Sequence, residues 1–521
     1  MTTLHLLDWV VIVVYFVAMA WLGFSFSKKN TDTEEYFVGG RRFKGWVVGL
    51  SLVGTSISSV SFLAYPADAY CTAWLRMIPN FLMPIAGILA VYVFIPFYRT
   101  GRKTSAYQYL GQRFGEGIRI YGSIAYIIGQ FLRLGIVLFL VGKLLNTMVG
   151  WPLWLCLIVS GIVVSVYTIA GGIDAVVWTD VIQTIVLVLG GIIVFWIVLR
   201  NIPGGIGEII DTAVKDGKLA FAEKQGDKMI PVSWGWALSK KTGLMMLLLG
   251  LVSWMQEFAT DQNVVQRYCG AASDSEARKA IWWSICARLP IWAFFMFLGT
   301  AFYVFFKLNP TTPATEMLSG VQKPEGILPY FVMNYMPPGL CGLVIAATVA
   351  AAMSSLDSSM NAISAVFVTD MYRSRICKDK DERHYLYVSR LVCAIAAVVM
   401  IVLGTLLAYS NTKTIQDTSL ILGGILSSGL LGLFFFGFFT KWGDSRAVGI
   451  GIGFTLAFTI YAVLGQRELV PMPGFDLYYT AIIGNVVMFV VSMIAAGILG
   501  RKKTAPALDN LTIWTMSKPE K

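Results

Sequence analysis

Apolar segments long enough to cross a lipid bilayer recur along nearly the whole sequence of 521 residues. A helix needs about 20 mainly apolar residues to span the hydrocarbon core, where every backbone polar group must be satisfied internally. About thirteen segments meet this requirement, so the sequence predicts an all-α integral membrane protein. The predicted spans are 6–26, 47–70, 77–98, 122–148, 152–170, 176–199, 242–266, 281–306, 339–371, 386–408, 417–440, 446–465 and 476–500.

The Lys and Arg residues predict how these spans are oriented. An odd number of spans places the two chain ends on opposite sides of the membrane, and cytoplasmic loops are rich in basic residues. With the N-terminus outside, the basic loops 27–46, 99–121, 267–280 and 372–385 and the tail from Arg501 become cytoplasmic. We therefore predict an N-out/C-in orientation. The net charge of +11 then reflects this orientation and does not indicate nucleic-acid binding.

The residues give little support to an enzyme or a channel. The seven cysteines have no paired spacing, and the only two histidines, His5 and His384, lie near or outside span ends. Zinc chemistry and histidine catalysis are therefore not expected, and no His-Glu-x-x-His motif occurs. No repeated filter sequence indicates a channel. A solute-sensing receptor on a transporter scaffold stays open as an alternative, although no signalling domain is attached.

One spanning segment, residues 345–372, carries hydroxyl groups and a carboxylate in its middle. At helical spacing the hydroxyl groups share one face, with the carboxylate beside it. The residues concerned are Ala351, Ser354, Ser355, Ser358 and Asp357. Such oxygen atoms suit a small hard cation that has lost its water, and an unpaired carboxylate inside a membrane requires a counter-ion. We predict that this helix forms half of a sodium site; packing between membrane helices is the alternative for the serines alone.

The second and seventh spans have the composition of interrupted helices. Residues 54–61 of the second span are mostly glycine, serine and threonine, which form helices weakly. The seventh span has a polar patch over residues 253–263 that includes Glu257 and Asp261. The two lie five spans apart, and because five is odd, they cross the membrane in opposite directions. Interrupted helices at matching positions of two inverted halves indicate the binding site of a transporter.

Four motifs now identify a family resemblance. Residues 54–62, 167–183, 263–268 and 350–358 resemble, in this order, the motifs of the sodium:solute symporter family. That family contains sodium/glucose and sodium/galactose cotransporters and bacterial sialic acid transporters. The resemblance covers nearly the whole chain and implies the LeuT-type architecture, in which two five-helix repeats are inverted relative to each other.

The resemblance also implies how the chain is divided. Residues 1–521 would form a single transmembrane transporter domain. Within it, the first repeat would be residues 47–199 and the second 242–440. An extra helix at 6–26 would precede the repeats, and two extra helices at 446–500 and a polar tail at 501–521 would follow them.

Two binding sites for the co-transported ion, Na⁺, are implied by the same resemblance. The first would use backbone carbonyls and side-chain hydroxyls of Gly54, Ile57, Ala351, Ser354 and Ser355. The second, present in sialic acid transporters, would use Asp180, Ser354, residue 357 and Ser358. Residue 357 is aspartate here, where those transporters have serine. This aspartate either strengthens a second cation site or pairs with a basic group and changes the number of ions per cycle.

Arg133, near the middle of the fourth span, has two interpretations. It could form an intramembrane ion pair with Asp180 or Asp357. Alternatively, it could bind a substrate carboxylate in a bidentate manner, through two guanidinium N–H groups. In sialic acid transporters a matching arginine binds the substrate carboxylate, and aligned polar residues bind the rest of the substrate. The corresponding residues here are Ser56, Ser58, Ser59, Ser61 and Asn80. Asn80 replaces a glutamine of those transporters, and Arg76 replaces an aromatic residue.

These observations predict a sodium-coupled secondary active symporter that imports a small organic solute by alternating access. The best match is a sugar acid such as sialic acid. A neutral sugar or polyol is the first alternative, and a monocarboxylate or vitamin is the second. The expected partners are the solute, Na⁺ and the lipid bilayer, with no nucleic acid and a functional monomer. We expect a multi-pass protein of the cell membrane, by resemblance the bacterial inner membrane.

Overall fold

The computed structural model describes residues 4–57, 59–100, 103–225, 228–409, 428–466, 469–471, 474–476, 479–499 and 508–516. Helices make up nearly all of its regular structure. The α-helices are α1 (Leu6–Phe26), α2 (Thr33–Val38), α3 (Gly45–Ser56), α4 (Ser59–Cys71), α5 (Met83–Leu89), α6 (Ile95–Arg99), α7 (Tyr107–Phe114), α8 (Glu116–Val149), α9 (Leu153–Arg200), α10 (Gly205–Lys215), α11 (Gly243–Thr260), α12 (Gln262–Cys269), α13 (Asp274–Leu308), α14 (Thr312–Ser319), α15 (Ile327–Tyr335), α16 (Leu340–Val366), α17 (Glu382–Tyr409), α18 (Leu430–Phe439), α19 (Ser445–Gln466) and α20 (Tyr479–Ile498).

Shorter elements connect or extend these helices. The 3₁₀ segments are Ser27–Lys29, Gly39–Arg41, Trp74–Leu82 and Pro324–Gly326, and the π-helical segments are Ala90–Phe94 and Phe367–Ile376. Strands β1 (Ala222–Gln225) and β2 (Lys228–Pro231) pair antiparallel, with Ala222 opposite Pro231. The connection between α9 and α11 thus contains a short helix and this hairpin, and the connection between α13 and α16 contains two short helices.

Ten helical segments of the described ranges are long and apolar enough to cross a membrane, and the bent pair α3–α4 adds an eleventh. Residues 417–427 of the predicted span 417–440 lie outside the described ranges, and the described part of this span contains α18. Helix α16 and the π-helical segment after it lie at the centre of the bundle. In their 18-residue apolar stretch, 89% of the residues are buried. Around α16 pack α1, α3, α8, α9 and α17.

Helix α9 is long enough for two crossings and reverses direction at Gly172. At 48 residues it would be about 72 Å long if straight. Gly172 has φ 59° and ψ −152°, a conformation open mainly to glycine. Tyr167 and Thr179 lie on either side of this glycine, yet both reach the carboxylate of Asp357. A straight helix would hold these two residues about 18 Å apart, so α9 comprises the predicted spans 152–170 and 176–199.

Both predicted helix interruptions are present. Helix α3 ends at Ser56, where Ile57 has φ −92° and ψ 86°, and α4 leaves at an angle of 59° to α3. Helix α11 ends at Thr260, and α12 begins after Asp261, which has φ −79° and ψ 117°. The second interruption lies at the end of the polar patch and not in its middle.

The C-terminal segment 508–516 packs against α7 and α18. The Tyr109 hydroxyl donates to the Leu511 carbonyl oxygen at 2.9 Å, and the Ile513 amide donates to the Phe438 carbonyl oxygen at 3.0 Å. Leu508 and Thr512 are buried there. This part of the predicted polar tail therefore has a defined place on the helix bundle.

Candidate functional site

The interruption of the second span faces the serines of α16. Because α3 ends at Ser56, the carbonyl oxygens of its last turn have no complete set of helical partners. The Ser354 hydroxyl donates to the carbonyl oxygen of Gly54 at 2.9 Å and to that of Ala351 at 3.1 Å. The Ser355 hydroxyl donates to the Thr55 carbonyl oxygen at 3.3 Å. Carbonyl and hydroxyl oxygens from two helices therefore converge at one place.

A narrow void lies at this point of convergence. Four of the five residues predicted for the first sodium site line it, together with three residues of α9. The lining residues are Gly54, Ile57, Ala351, Ser354, Gln183, Thr184 and Leu187. At Gly54 a Cβ atom would lie 2.8 Å from Thr184 Oγ1 and 3.1 Å from the Asp180 carbonyl oxygen, which explains the glycine. Carbonyl and hydroxyl oxygen atoms are ligands that small hard cations prefer.

A buried ion pair lies next to this void. Arg267 of α12 donates to Asp180 Oδ2 at 2.7 Å and is 1% exposed, while Asp180 is fully buried. The Ser51 hydroxyl also donates to Asp180 Oδ2, at 2.6 Å, and the guanidinium of Arg267 donates to the Ser358 hydroxyl at 2.5 Å. The guanidinium thus lies between Asp180 and Ser358, two residues predicted for the second sodium site.

Asp357 accepts several hydrogen bonds but has no cationic partner. Its Oδ2 accepts from the Tyr167 hydroxyl at 2.7 Å, and its Oδ1 accepts from the Ser358 amide at 2.5 Å. The side chain is fully buried, and no Lys, Arg or His of the described ranges lies within ion-pair distance of it. A buried carboxylate without a counter-ion is costly.

With both carboxyl groups ionised, a single guanidinium leaves this region one positive charge short. Asp180 and Asp357 then carry two negative charges, and Arg267 carries one positive charge. The Oδ1 atom of Asp180 is buried and has no hydrogen-bond partner in the described part of the chain. The amide of Gln183, which also lines the void, has no partner either. Unsatisfied buried oxygen atoms beside an uncompensated charge are typical of a site that takes a cation.

Arg133 contacts neither Asp180 nor Asp357 and pairs instead with Asp261, at the interruption between α11 and α12. Its Nη1 atom lies 3.9 Å from Asp261 Oδ2, and its Nη2 atom donates to the Thr55 carbonyl oxygen at 3.4 Å. Both contacts lie inside the bundle, although 36% of the side chain is exposed. Most donors of this guanidinium therefore have no acceptor among the described residues.

Two of the residues predicted to bind substrate already have protein partners. The Ser56 hydroxyl donates to Glu257 Oε1 at 3.1 Å, and Arg288 of α13 donates to the same atom at 2.9 Å. The Asn80 amide donates to the Tyr65 hydroxyl at 3.1 Å. Ser61 is half-buried, the side chain of Ser59 is not among those described, and Ser58 lies outside the described residues.

Sequence reasoning did not assign Arg267, Arg288 or Thr55 to the site. Both arginines are fully buried among apolar helices, and an arginine within or next to an apolar span is itself a signal of a partner. Arg267 lies in the quoted motif 263–268, and Arg288 lies in the predicted span 281–306. Thr55 could be found only in the fold, because it acts through its backbone carbonyl oxygen, which accepts from both Ser355 and Arg133.

The chain is similar to characterised sodium symporters over nearly its whole length. The model of the sodium:solute symporter family matches residues 36–447. The sodium/sialic acid symporter NanT of Aliivibrio fischeri is 29% identical over 512 residues, which cover 97% of this chain and 96% of NanT. The sodium/sialic acid symporter SiaT of Proteus mirabilis is 31% identical over 506 residues, which cover 96% of each chain.

The fold has a solved counterpart of the same kind. A structure of a Na⁺-coupled sialic acid symporter, in its substrate-bound outward-open state with a novel Na⁺ site, superimposes with a TM-score of 0.85. It is 30% identical to this chain, and the match covers 96% of this chain and 99% of that one. The predicted fold class, an all-α membrane protein of the LeuT type, is confirmed by this likeness.

Proposed function

Since the chain belongs to the sodium:solute symporter family, we propose that it imports a sugar acid such as sialic acid together with Na⁺. It is a multi-pass membrane transporter and not an enzyme. The observation that carries the proposal is the Thr55 carbonyl oxygen, which accepts from Ser355, a residue proposed for the sodium site, and from Arg133, a residue proposed for the substrate site. Ion and solute sites that share one backbone group have a physical basis for coupling.

The first sodium ion is proposed to bind Gly54, Ile57, Ala351, Ser354 and Ser355. The void lined by four of these residues supports the assignment, as do the two serine hydroxyls that point at the last turn of α3. A cation there would bridge α3 and α16, which belong to different halves of the chain. Release of the ion would free these helices to move relative to each other, which is the basis of alternating access.

A second sodium ion is proposed to bind between Asp180 and Asp357, with Ser354 and Ser358 as further ligands. The charge deficit and the unpartnered Oδ1 atom of Asp180 support this site. The aspartate at residue 357 supplies a full charge where the sialic acid transporters have a hydroxyl. The number of ions is measurable from the slope with which substrate affinity rises with Na⁺ concentration.

The free energy that drives the transport cycle comes from the sodium gradient and the membrane potential. An inward-negative potential contributes about 2.3 kcal/mol per charge per 100 mV. Sodium entering from outside would order the contact between α3 and α16 and, through the Thr55 carbonyl oxygen, the position of Arg133. The solute therefore binds more tightly when Na⁺ is present. Low cytoplasmic sodium then favours release of the ion after the repeats have moved.

Arg133 is proposed to bind the carboxylate of the sugar acid. Its free donors and its position inside the bundle support this role, and NanT and SiaT are sodium/sialic acid symporters. The residues proposed to bind the remainder are Ser56, Ser58, Ser59, Ser61 and Asn80. A neutral sugar or polyol is the second candidate, since Asp261 partly balances the charge of Arg133. We also propose a functional monomer, because all these residues come from one chain.

Replacing Arg133 with alanine tests this proposal. In Arg133→Ala we expect the affinity for sialic acid to fall about 10- to 100-fold, because the substrate carboxylate loses a charge-assisted hydrogen-bonding partner. Affinity for the neutral alcohol analogue should stay within about twofold. Isothermal titration of purified protein in saturating Na⁺ measures both.

The matched control is Arg373→Ala, which removes a half-exposed arginine that pairs with Glu382 and lies in the predicted cytoplasmic loop 372–385. This variant should bind sialic acid as the wild type does. If Arg133→Ala binds sialic acid with unchanged affinity, the carboxylate role is wrong. If the wild type binds the neutral analogue and not the acid, the second candidate replaces the first.

A further inference from the structure

We infer that Asp261 is an internal competitor of the substrate carboxylate for Arg133 and thereby sets the affinity and selectivity for acidic substrates. The inference rests on the proposed function, since it concerns how Arg133 is occupied when no acid is bound. Asp261 acts through Arg133 and is therefore a positioning residue.

The ion pair between Arg133 and Asp261 is loose in comparison with the other arginine pairs of the bundle. Its closest N–O distance is 3.9 Å, against 2.7 Å between Arg267 and Asp180 and 2.9 Å between Arg288 and Glu257. Arg133 is 36% exposed, whereas the other two arginines are 1% and 0% exposed. Weak, accessible pairs exchange partners readily because little desolvation has to be reversed.

The two carboxylate oxygen atoms of Asp261 have different partners. Oδ1 accepts from the Asn263 amide at 2.8 Å and so caps the N-terminus of α12. The Tyr126 hydroxyl donates to the same oxygen at 3.4 Å. Oδ2 faces Arg133 and has no hydrogen-bond donor of normal length in the described part of the chain. Asp261 can therefore lose Arg133 and still cap its helix.

A substrate carboxylate on Arg133 would come close to this second oxygen atom. The substrate then replaces Asp261 as the partner of the guanidinium and is repelled by the carboxylate that it displaces. Both effects reduce the affinity for an acid, and neither acts on a neutral solute. Removing the charge of Asp261 should therefore strengthen acid binding specifically.

The backbone role of Asp261 allows this charge to be removed without loss of the cap. Asparagine and serine cap helix N-termini about as well as aspartate, so Asp261→Asn and Asp261→Ser both keep α12 capped. Asp261→Glu keeps the charge. Tyr126→Phe removes only the second hydrogen bond to Oδ1 and serves as the matched control.

Titration of full-length purified protein with sialic acid and with its neutral alcohol analogue, in saturating Na⁺, tests the inference. We expect Asp261→Asn and Asp261→Ser to bind sialic acid about fivefold more tightly than the wild type. The neutral analogue should bind all forms equally, and Asp261→Glu and Tyr126→Phe should resemble the wild type. A shift common to both ligands would indicate a merely structural role.

The outcomes separate this inference from the proposed function. If the wild type binds sialic acid but Asp261→Asn binds it no more tightly, the inference is wrong and the proposed function stands. If the wild type binds no sialic acid in Na⁺, the proposed function fails and the inference fails with it.

Discussion

Replacing Ser354 and Ser355 together with alanine is expected to abolish sodium-stimulated uptake while the protein stays folded. Both hydroxyls lie on α16 and donate to carbonyl oxygens at the end of α3, at 2.9 Å and 3.3 Å. No other side-chain hydroxyls are among the ligands proposed for the first ion, so the double variant leaves carbonyl oxygens alone. A dehydrated cation that has lost two of its ligands binds much more weakly, because its lost hydration is no longer replaced.

The fold should tolerate this change. Alanine is the strongest helix former, and each substitution removes one small atom from a well-packed helix. Ser359→Ala is the matched control, because the Ser359 hydroxyl lies on the same helix, is buried and has no partner in the described part of the chain. Uptake of radiolabelled sialic acid into proteoliposomes, with a sodium gradient or a choline gradient, measures the effect. Full sodium dependence in the double variant would rule out the first ion site.

The second large effect is on stability: Arg267→Ala should strongly destabilise the protein. Arg267 faces both Asp180 and Ser358, and its removal leaves the buried carboxylate of Asp180 without a cationic partner among the described residues. Breaking a buried pair by removing one member costs about 3–5 kcal/mol. The expected result is a marked fall in the unfolding midpoint in detergent, followed by tryptophan fluorescence.

Two further variants make this test specific. Adding Asp180→Asn to Arg267→Ala removes the stranded charge and should restore part of the lost stability. Arg76→Ala, which breaks a pair with both members exposed by a third or more, should cost less than about 1 kcal/mol. If Arg267→Ala unfolds at the midpoint of the Arg76→Ala control, the pair with Asp180 does not stabilise the bundle.

Much of the fold follows from the sequence because the membrane admits few solutions. Apolar runs alone located the spans, and weak helix formers located the break after Ser56. The sequence separates the spans 152–170 and 176–199, which meet at Gly172, but it does not give the left-handed φ of that glycine.

The contact between α16 and the break after α3 was more predictable than the surroundings of Arg133. Helical spacing places Ser354 and Ser355 on one face, and the break after α3 supplies carbonyl oxygens. The residue types alone therefore predict that these hydroxyls and carbonyl oxygens lie close together. The partner of Arg133 depends on which of several carboxylates the tertiary fold brings near. The sequence offered Asp180 and Asp357 as partners of Arg133. In the fold, Asp180 pairs with Arg267, and Arg133 pairs with Asp261.

The sodium dependence of substrate affinity in the wild-type protein tests the central claim most directly. The dissociation constant for sialic acid is measured by titration over a range of Na⁺ concentrations, with choline holding the ionic strength constant. We predict that affinity rises with Na⁺, with a slope of about two on logarithmic axes for two ions and about one if only the first site is filled. An affinity that is the same in Na⁺ and in choline would contradict the coupling of ion and solute.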